Sequence, residues 1–314
     1  MGRLVVSVLF TMLLAGTLML AVTTRFAHAQ TGVTVYINSD GSITPSSAPI
    51  STVDNSTYTL NGNLGELTVE RNNSVIDGAS YAIGGLTSNA LVLSLTDNVT
   101  VENTQIWTRG TFFGGGYVAQ PGVQMTYCTN TRLLDNNFTV NVFCVRIDYS
   151  NDTIISGNNI FINKTNVPAF NTSQWEGIVM EYSSGNVISD NNITGCGIGV
   201  YLNSCSGNSI YQNNFINNTE QTYIINSANV WDNGSSGNYW SDYLIKYPNA
   251  TEIGSSGVWN TPYVIDANNT DYFPLTVPIG VIPEFPSFLI LPLFMIATLL
   301  TVIIYKKKGV KSTR

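Results

Sequence analysis

Histidine is almost missing from this sequence. The 314 residues carry one, His28, inside a segment that reads as a removable export signal. Downstream of it there is no imidazole. That excludes Ser–His and Cys–His nucleophile pairs, histidine-bound zinc and imidazole-bound copper from the processed chain. Basic residues are scarce as well. All 20 carboxylates lie between Asp40 and Glu284, where they face only Arg71, Arg109, Arg132, Arg146, Lys164 and Lys246. A net charge near −14 over that stretch argues against nucleic acid as a partner. The body also lacks any amphipathic helical stretch.

Long apolar runs are confined to the two ends. Met1, Gly2 and Arg3 precede an apolar stretch from Leu4 to Val22, and Ala27-His28-Ala29 supplies a small-x-small site before Gln30. This pattern predicts a signal peptide over residues 1–29. The second run, Ser287 to Tyr305, is followed by Lys306, Lys307, Lys308, Lys311 and Arg314. Its length and basic flank predict a transmembrane anchor over 287–305 with a cytoplasmic tail at 306–314. The protein is therefore expected at the cell surface, with 30–286 outside. A dozen Asn-x-Ser/Thr sequons, among them Asn55, Asn137, Asn192 and Asn249, offer glycan acceptors to an exported chain.

What fills the body is an internal repeat. Four segments share one pattern: Gly122 to Phe138, Cys144 to Ile160, Gly177 to Ile193 and Gly199 to Phe215. Looser copies run from Leu91 to Ile106 and around Val75-Ile76-Asp77-Gly78. Taking Ile76, Val101, Leu133, Ile155, Ile188 and Ile210 as equivalent gives steps of 25, 32, 22, 33 and 22 residues. A unit this short cannot bury its own apolar side and must stack on its neighbours. Its short β-branched strands and Asn, Gly or Ser corners predict an all-β, right-handed parallel β-helix, a solenoid. The division expected is an N-terminal β segment over 30–74, repeats over 75–227, a capping module over 228–278 and a linker over 279–286.

The repeated Asn-x-Ile-x-x-Asn-Asn-Ile/Phe motif resembles the NosD-type β-helix family, long labelled periplasmic copper-binding. Val35 to Ile43, Val69 to Gly78, Gly237 to Tyr243, Thr261 to Ile265 and Asp271 to Leu275 are similar to archaeal cell-surface members. Pro283-Glu-Phe-Pro286 is similar to their C-terminal anchoring signals. The resemblance implies a solenoid and leaves the activity open, since one fold serves many functions. Its copper label sits poorly on a body without histidine. Relatives often carry an acidic, glycine-rich stretch before Thr-Pro-Tyr that suits calcium, but here Ser255 to Thr261 has no carboxylate. No cofactor is expected.

The cysteines can be placed against the repeat. Cys128 and Cys205 share one position, filled by Ser150 and Ser183 between them, so about 14 Å separates them. That is too far for a disulfide. Cys144 aligns with Gly177 and Cys196 is out of line with it. Four reduced, inward-facing small residues are expected.

The two long steps place extra residues at 107–121 and 161–176. Trp107, Arg109, Phe112 and Tyr117 in the first, with Trp175 and Glu176 in the second, would offer aromatic faces beside polar groups to a polysaccharide or envelope glycan. The alternative for each aromatic is a packing role. Between these insertions, alternation turns Arg146 and Asp148 outward, with Val179 and Glu181, then Tyr201 and Asn203, in the same columns. Adjacent Asp148 and Glu181 would allow acid and base roles in a carbohydrate hydrolase or lyase, with Arg146 beside them. The alternative is a surface ion cluster. Glycan binding is the leading expectation, with carbohydrate cleavage and a structural envelope role as rivals.

Overall fold

The computed structural model describes residues 34–85, 88–108, 120–140, 142–162 and 175–280, and the backbone of 111–113 and 116–118. The chain divides into two units, Met1–Val277 and Pro278–Arg314, and the architecture below belongs to the first. The expected leader, the linker from residue 281 onward and the apolar run at 287–305 lie outside the described residues. Among the described residues no helix is long and apolar enough to cross a membrane.

Three sheets of nine, eight and seven strands, parallel except for the antiparallel edge strands Ile43–Thr44 and Ile50–Thr52, wrap one apolar core. Each central coil contributes one strand to each sheet. The registers show why a short repeat suffices. On the eight-stranded sheet Ile76, Val101, Leu133, Ile155, Ile188 and Ile210 pair in one unbroken column, and every one is fully buried. Ile83, Ile106, Phe138, Ile160, Ile193, Phe215 and Trp240 form the matching column of the seven-stranded sheet. Strands of three or four residues could not hold such a surface singly, and stacking removes it from water. The coils reach upstream of the clear repeats, because Val35–Ile37 pairs in parallel with Leu67–Val69.

The buried polar residues form ladders along the stack. The Oδ1 atoms of Asn158, Asn191, Asn213 and Asn238 each accept the side-chain amide of the coil before, at 2.9–3.1 Å. A second ladder climbs through Asn186, Asn208 and Asn229. A third replaces amides by hydroxyls and thiols. Cys128 N donates to Ser150 Oγ, Ser150 N to Ser183 Oγ, Ser183 N to Cys205 Sγ and Cys205 N to Ser227 Oγ. The four cysteine side chains are buried, and burial, with Cys196 nearby, pushes the Cys144 thiol well up. Cys128 and Cys205 therefore do the work of serine in a corner that needs one small hydrogen-bonding atom.

An aromatic plug ends the core. Trp240 stacks on Phe215 at 4.4 Å and on Tyr263 at 4.2 Å. The hairpin of Tyr263–Asp266 and Asn269–Asp271 lies over it. Both asparagine ladders finish on this hairpin. Asn238 N donates to Asp271 Oδ2, and Asn229 N to Asn269 Oδ1. Asn269 in turn donates to Asp266. Three carboxylates are engaged here: Asp271 and Asp266 take the ladders, and Asp242 accepts the Tyr263 hydroxyl at 2.9 Å.

Candidate functional site

The nine-stranded sheet carries the charged cluster. Alternation within Phe143–Asp148 turns Arg146 and Asp148 outward while Ile147 between them is fully buried. The next strand pairs Val179 with Arg146 and Glu181 with Asp148. The one after pairs Tyr201 with Val179 and Asn203 with Glu181.

Arg146 joins the two coils. Its Nε donates to Asp148 Oδ2 at 2.9 Å and its Nη2 to Glu181 Oε2 at 2.8 Å. Gln124, one coil before, adds a bond to Asp148 Oδ2 at 3.1 Å. Asp148 Oδ1 is buried without a hydrogen-bond partner, so this carboxylate relies on Arg146 and Gln124. Removing Arg146 would leave like charges side by side in a partly desolvated setting.

Glu176 starts the same strand as Glu181. Burial pushes its carboxyl up to about 7, with Arg146 opposing and Glu181 adding to the rise. The sheet face thus combines the Arg146 guanidinium, bonded to Asp148 and Glu181, with a Glu176 carboxyl that burial raises to about 7. Tyr201 and Tyr223 stack at 5.7 Å on the next two coils, with Tyr223 45% exposed. Val179 points outward yet is only 1% exposed, which shows how closely its neighbours cover the sheet there.

The insertions are organised differently from plain loops. Trp107 closes the strand Gln105–Thr108 of the seven-stranded sheet, and a Cβ at Gly84 would run into its ring. It lies on a different sheet from Arg146. Residues Thr111–Phe113 and Gly116–Val118 form their own antiparallel pair, with Phe112 opposite Tyr117. The side chains of Arg109, Phe112 and Tyr117 lie outside the described set, as do residues 163–174. Trp175 is 7% exposed and belongs to the apolar core. The structure thus places Tyr201 in the column of Arg146 and Val179, sets Glu176 opposite Phe143 at the start of the strand that ends in Glu181, and turns Trp175 inward.

One surface feature escaped the sequence reading. Tyr127, Tyr149 and Tyr182 follow Thr126, Asp148 and Glu181 directly, and stack in file at 5.1 and 5.0 Å. They are 55, 46 and 51% exposed, with backbone φ of 55°, 50° and 50°. Two stacked pairs contribute about 0.5–1.5 kcal/mol each, whereas left-handed backbone costs side-chain-bearing residues roughly 1–2 kcal/mol apiece. The same left-handed backbone recurs at this corner in Leu95, Ser204 and Asn226, so it belongs to the coil and is not particular to the tyrosines. The next coil fills it with Ser204. The signal was visible as one Tyr at the same place in three successive repeats.

These features define a parallel β-helix protein with a charged, aromatic-edged face. The family model for NosD, described as periplasmic copper-binding protein, matches residues 21–244. The chain belongs to that family. No curated protein matches it. Among solved structures, full-length tailspike protein 2 of an Escherichia coli O157:H7 bacteriophage aligns at 11% identity, TM-score 0.33, over 56% of this chain and 33% of the tailspike. This chain therefore spans about one third of that protein's length. An alginate lyase from Paenibacillus aligns at 13% identity, TM-score 0.29, over 56% of this chain and 72% of the lyase. A putative glycosyl hydrolase from Parabacteroides merdae aligns at 11% identity, TM-score 0.24, over 56% and 78%.

The donor set does not fit copper. No group of three or more His, Cys, Asp or Glu among the described residues could hold a metal ion. Cys128 and Cys205 are spaced apart by the serine ladder, and all four thiols are buried. Among the described residues the soft ligands that copper selects come together at most in the pair Cys144 and Cys196, and both are fully buried.

Proposed function

We propose that this chain is an exported, membrane-anchored surface protein whose nine-stranded sheet binds a glycan. The observation that carries the reading is the outward Arg146 clamp, bonded to carboxylates of two successive coils beside the stacked Tyr201 and Tyr223. Sugars are recognised by rigid hydrogen-bonding groups at their edges and aromatic surface at their faces. A clamp fixed across two coils is rigid because the stack itself sets its spacing. The leader, the apolar run at 287–305 and its basic tail support the cellular placement. Fractionation with detergent release tests it: a protein recovered in the soluble fraction without detergent would overturn anchoring.

A polysaccharide array probed with the full-length chain in detergent tests the binding. Arg146→Gln should lose any polymer that the wild-type chain retains. Equal retention by the two proteins would remove the clamp from the site.

Glu176 favours a second reading, cleavage. A carboxyl that burial raises to about 7 is what a glycoside hydrolase uses for its acid. In that case Glu176→Gln abolishes release of reducing ends and leaves retention in place. Absence of any new chain ends with every retained polymer would leave binding alone.

A further inference from the structure

The tyrosine file Tyr127–Tyr149–Tyr182 runs beside the carboxylate column. Each ring belongs to the residue just after Thr126, Asp148 or Glu181, so the two columns climb the solenoid together. Tyr149 feels both acids: burial first, then Tyr182, Tyr127, Asp148 and Glu181, raise its hydroxyl's pKa. The rings cover one another's faces at 5.1 and 5.0 Å and leave edges to solvent, so what repeats along the surface is a line of ring edges and phenol groups. Its period is that of the coil, about 4.8 Å, close to the length of one sugar residue in an extended chain.

Charge narrows the ligand. Within the strands of the nine-stranded sheet, Arg146 is the single basic residue, against Asp148, Glu176, Glu181 and Glu220. Its guanidinium is already held by Asp148 and Glu181. A uronate or sulfated polymer would meet net negative charge with the one cation engaged. An uncharged chain would meet hydrogen-bonding groups on both columns.

The geometry points to Tyr127, Tyr149 and Tyr182 as a binding rail that lays a linear, uncharged polysaccharide along the solenoid axis, one sugar per coil, beside the Arg146 clamp. This rests on the glycan-binding reading above and extends it by three residues, a direction and a ligand class.

The test compares the full-length wild-type chain with the triple variant Tyr127→Ser/Tyr149→Ser/Tyr182→Ser and with Arg146→Gln. Serine already occupies this corner at Ser204, so the triple variant should keep the fold, and thermal melting checks that it does. Calorimetry uses cello- and chito-oligosaccharides of two to six residues, with oligogalacturonates as the acidic control. Wild-type affinity should rise with length up to at least three residues, and oligogalacturonates should bind more weakly. The triple variant should lose about tenfold or more on the longest neutral ligand, and its length dependence should flatten. If the triple variant matches wild type while Arg146→Gln does not bind, the rail is wrong and the clamp stands. If wild type binds none of the neutral ligands, or prefers the acidic ones, the rail is overturned. A concentration-dependent dimer that the triple variant abolishes would also overturn it, by assigning the file to self-association.

Discussion

Asp271 Oδ2 accepts the backbone N–H of Asn238 at 2.7 Å, and with that contact a carboxylate terminates a ladder of buried amides. Each asparagine below donates its side-chain amide to the Oδ1 of the next, so the last coil needs an acceptor that requires no further partner. A carboxylate meets that need where another asparagine would leave its amide to satisfy. The Trp240 indole donates to the same Oδ2 at 2.9 Å, which ties the aromatic plug to the ladder's end.

The ladder should therefore be far less tolerant than its neighbours. Asn191 is fully buried and accepts from Asn158 N and Nδ2 while donating to Ile155 O and Asn213 Oδ1. Asn191→Ala should destabilise by about 3 kcal/mol or more, because several buried partners lose their bonds at once. The adjacent Asn192, in the outer ladder with Asn159, should cost under about 1 kcal/mol when changed to Ala. Urea midpoints of the two variants check the contrast.

Stability should fall as pH rises from about 4 to 7. Burial raises the Asp271 carboxyl from 3.8 to about 6 and the Glu176 carboxyl from 4.5 to about 7. In those windows the folded state binds more protons than the unfolded chain, so deprotonation favours unfolding. The favourable contribution is complete below the unfolded values and is lost through the folded ones. For Asp271 the span is on the order of 3 kcal/mol. Melting temperatures from pH 4 to 8 should decline and then level. Glu176→Gln should remove the part of the decline between about pH 4.5 and 7, and an unchanged profile would contradict the assignment.

Thiols should be silent in the folded protein. All four are buried, so a thiol reagent should label none until denaturant is added. Cys128→Ser and Cys205→Ser should change stability by under about 1 kcal/mol, because serine already serves the same corner at Ser150 and Ser183. Ready labelling of either residue in native buffer would contradict its place in the ladder.

Two glycines with similar backbone should respond differently to alanine. Gly157 and Gly207 have φ of +71° and +73°. A Cβ at Gly207 meets nothing within 4 Å, whereas one at Gly157 runs into Asp135 Oδ1. Gly207→Ala should cost about 1 kcal/mol from backbone strain alone, and Gly157→Ala clearly more. Thermal unfolding of the pair measures the difference.

Much of the solenoid was legible in the sequence because its order is one-dimensional. A step of 22 residues, an Ile or Leu at one place and Asn-Asn at another are enough to set the coil, the register and the shared place of Cys128 with Cys205. Alternation also gave the columns of Arg146, Asp148 and Glu181. Relations between coils at the level of atoms could not be read this way. Trp175 looked like a sugar platform and lies in the core, because a loop aromatic's direction depends on what covers it. Trp107 is held by space that Gly84 leaves one coil earlier. Glu176 acquires its raised pKa from burial, with Glu181 adding to it and Arg146 opposing it, a relation set by the stacked coils.

The sequence by itself determined the stacking unit, the inward columns and the scarcity of imidazole, since periodic burial and composition are local, countable properties. Only the tertiary structure decided that Arg146 bridges two coils, that Tyr127, Tyr149 and Tyr182 stand in file, and that Asp266 and Asp271 close the asparagine ladders. Those relations depend on distances of a few ångströms between residues about 20 to 40 apart in the chain, which stacking along the axis fixes.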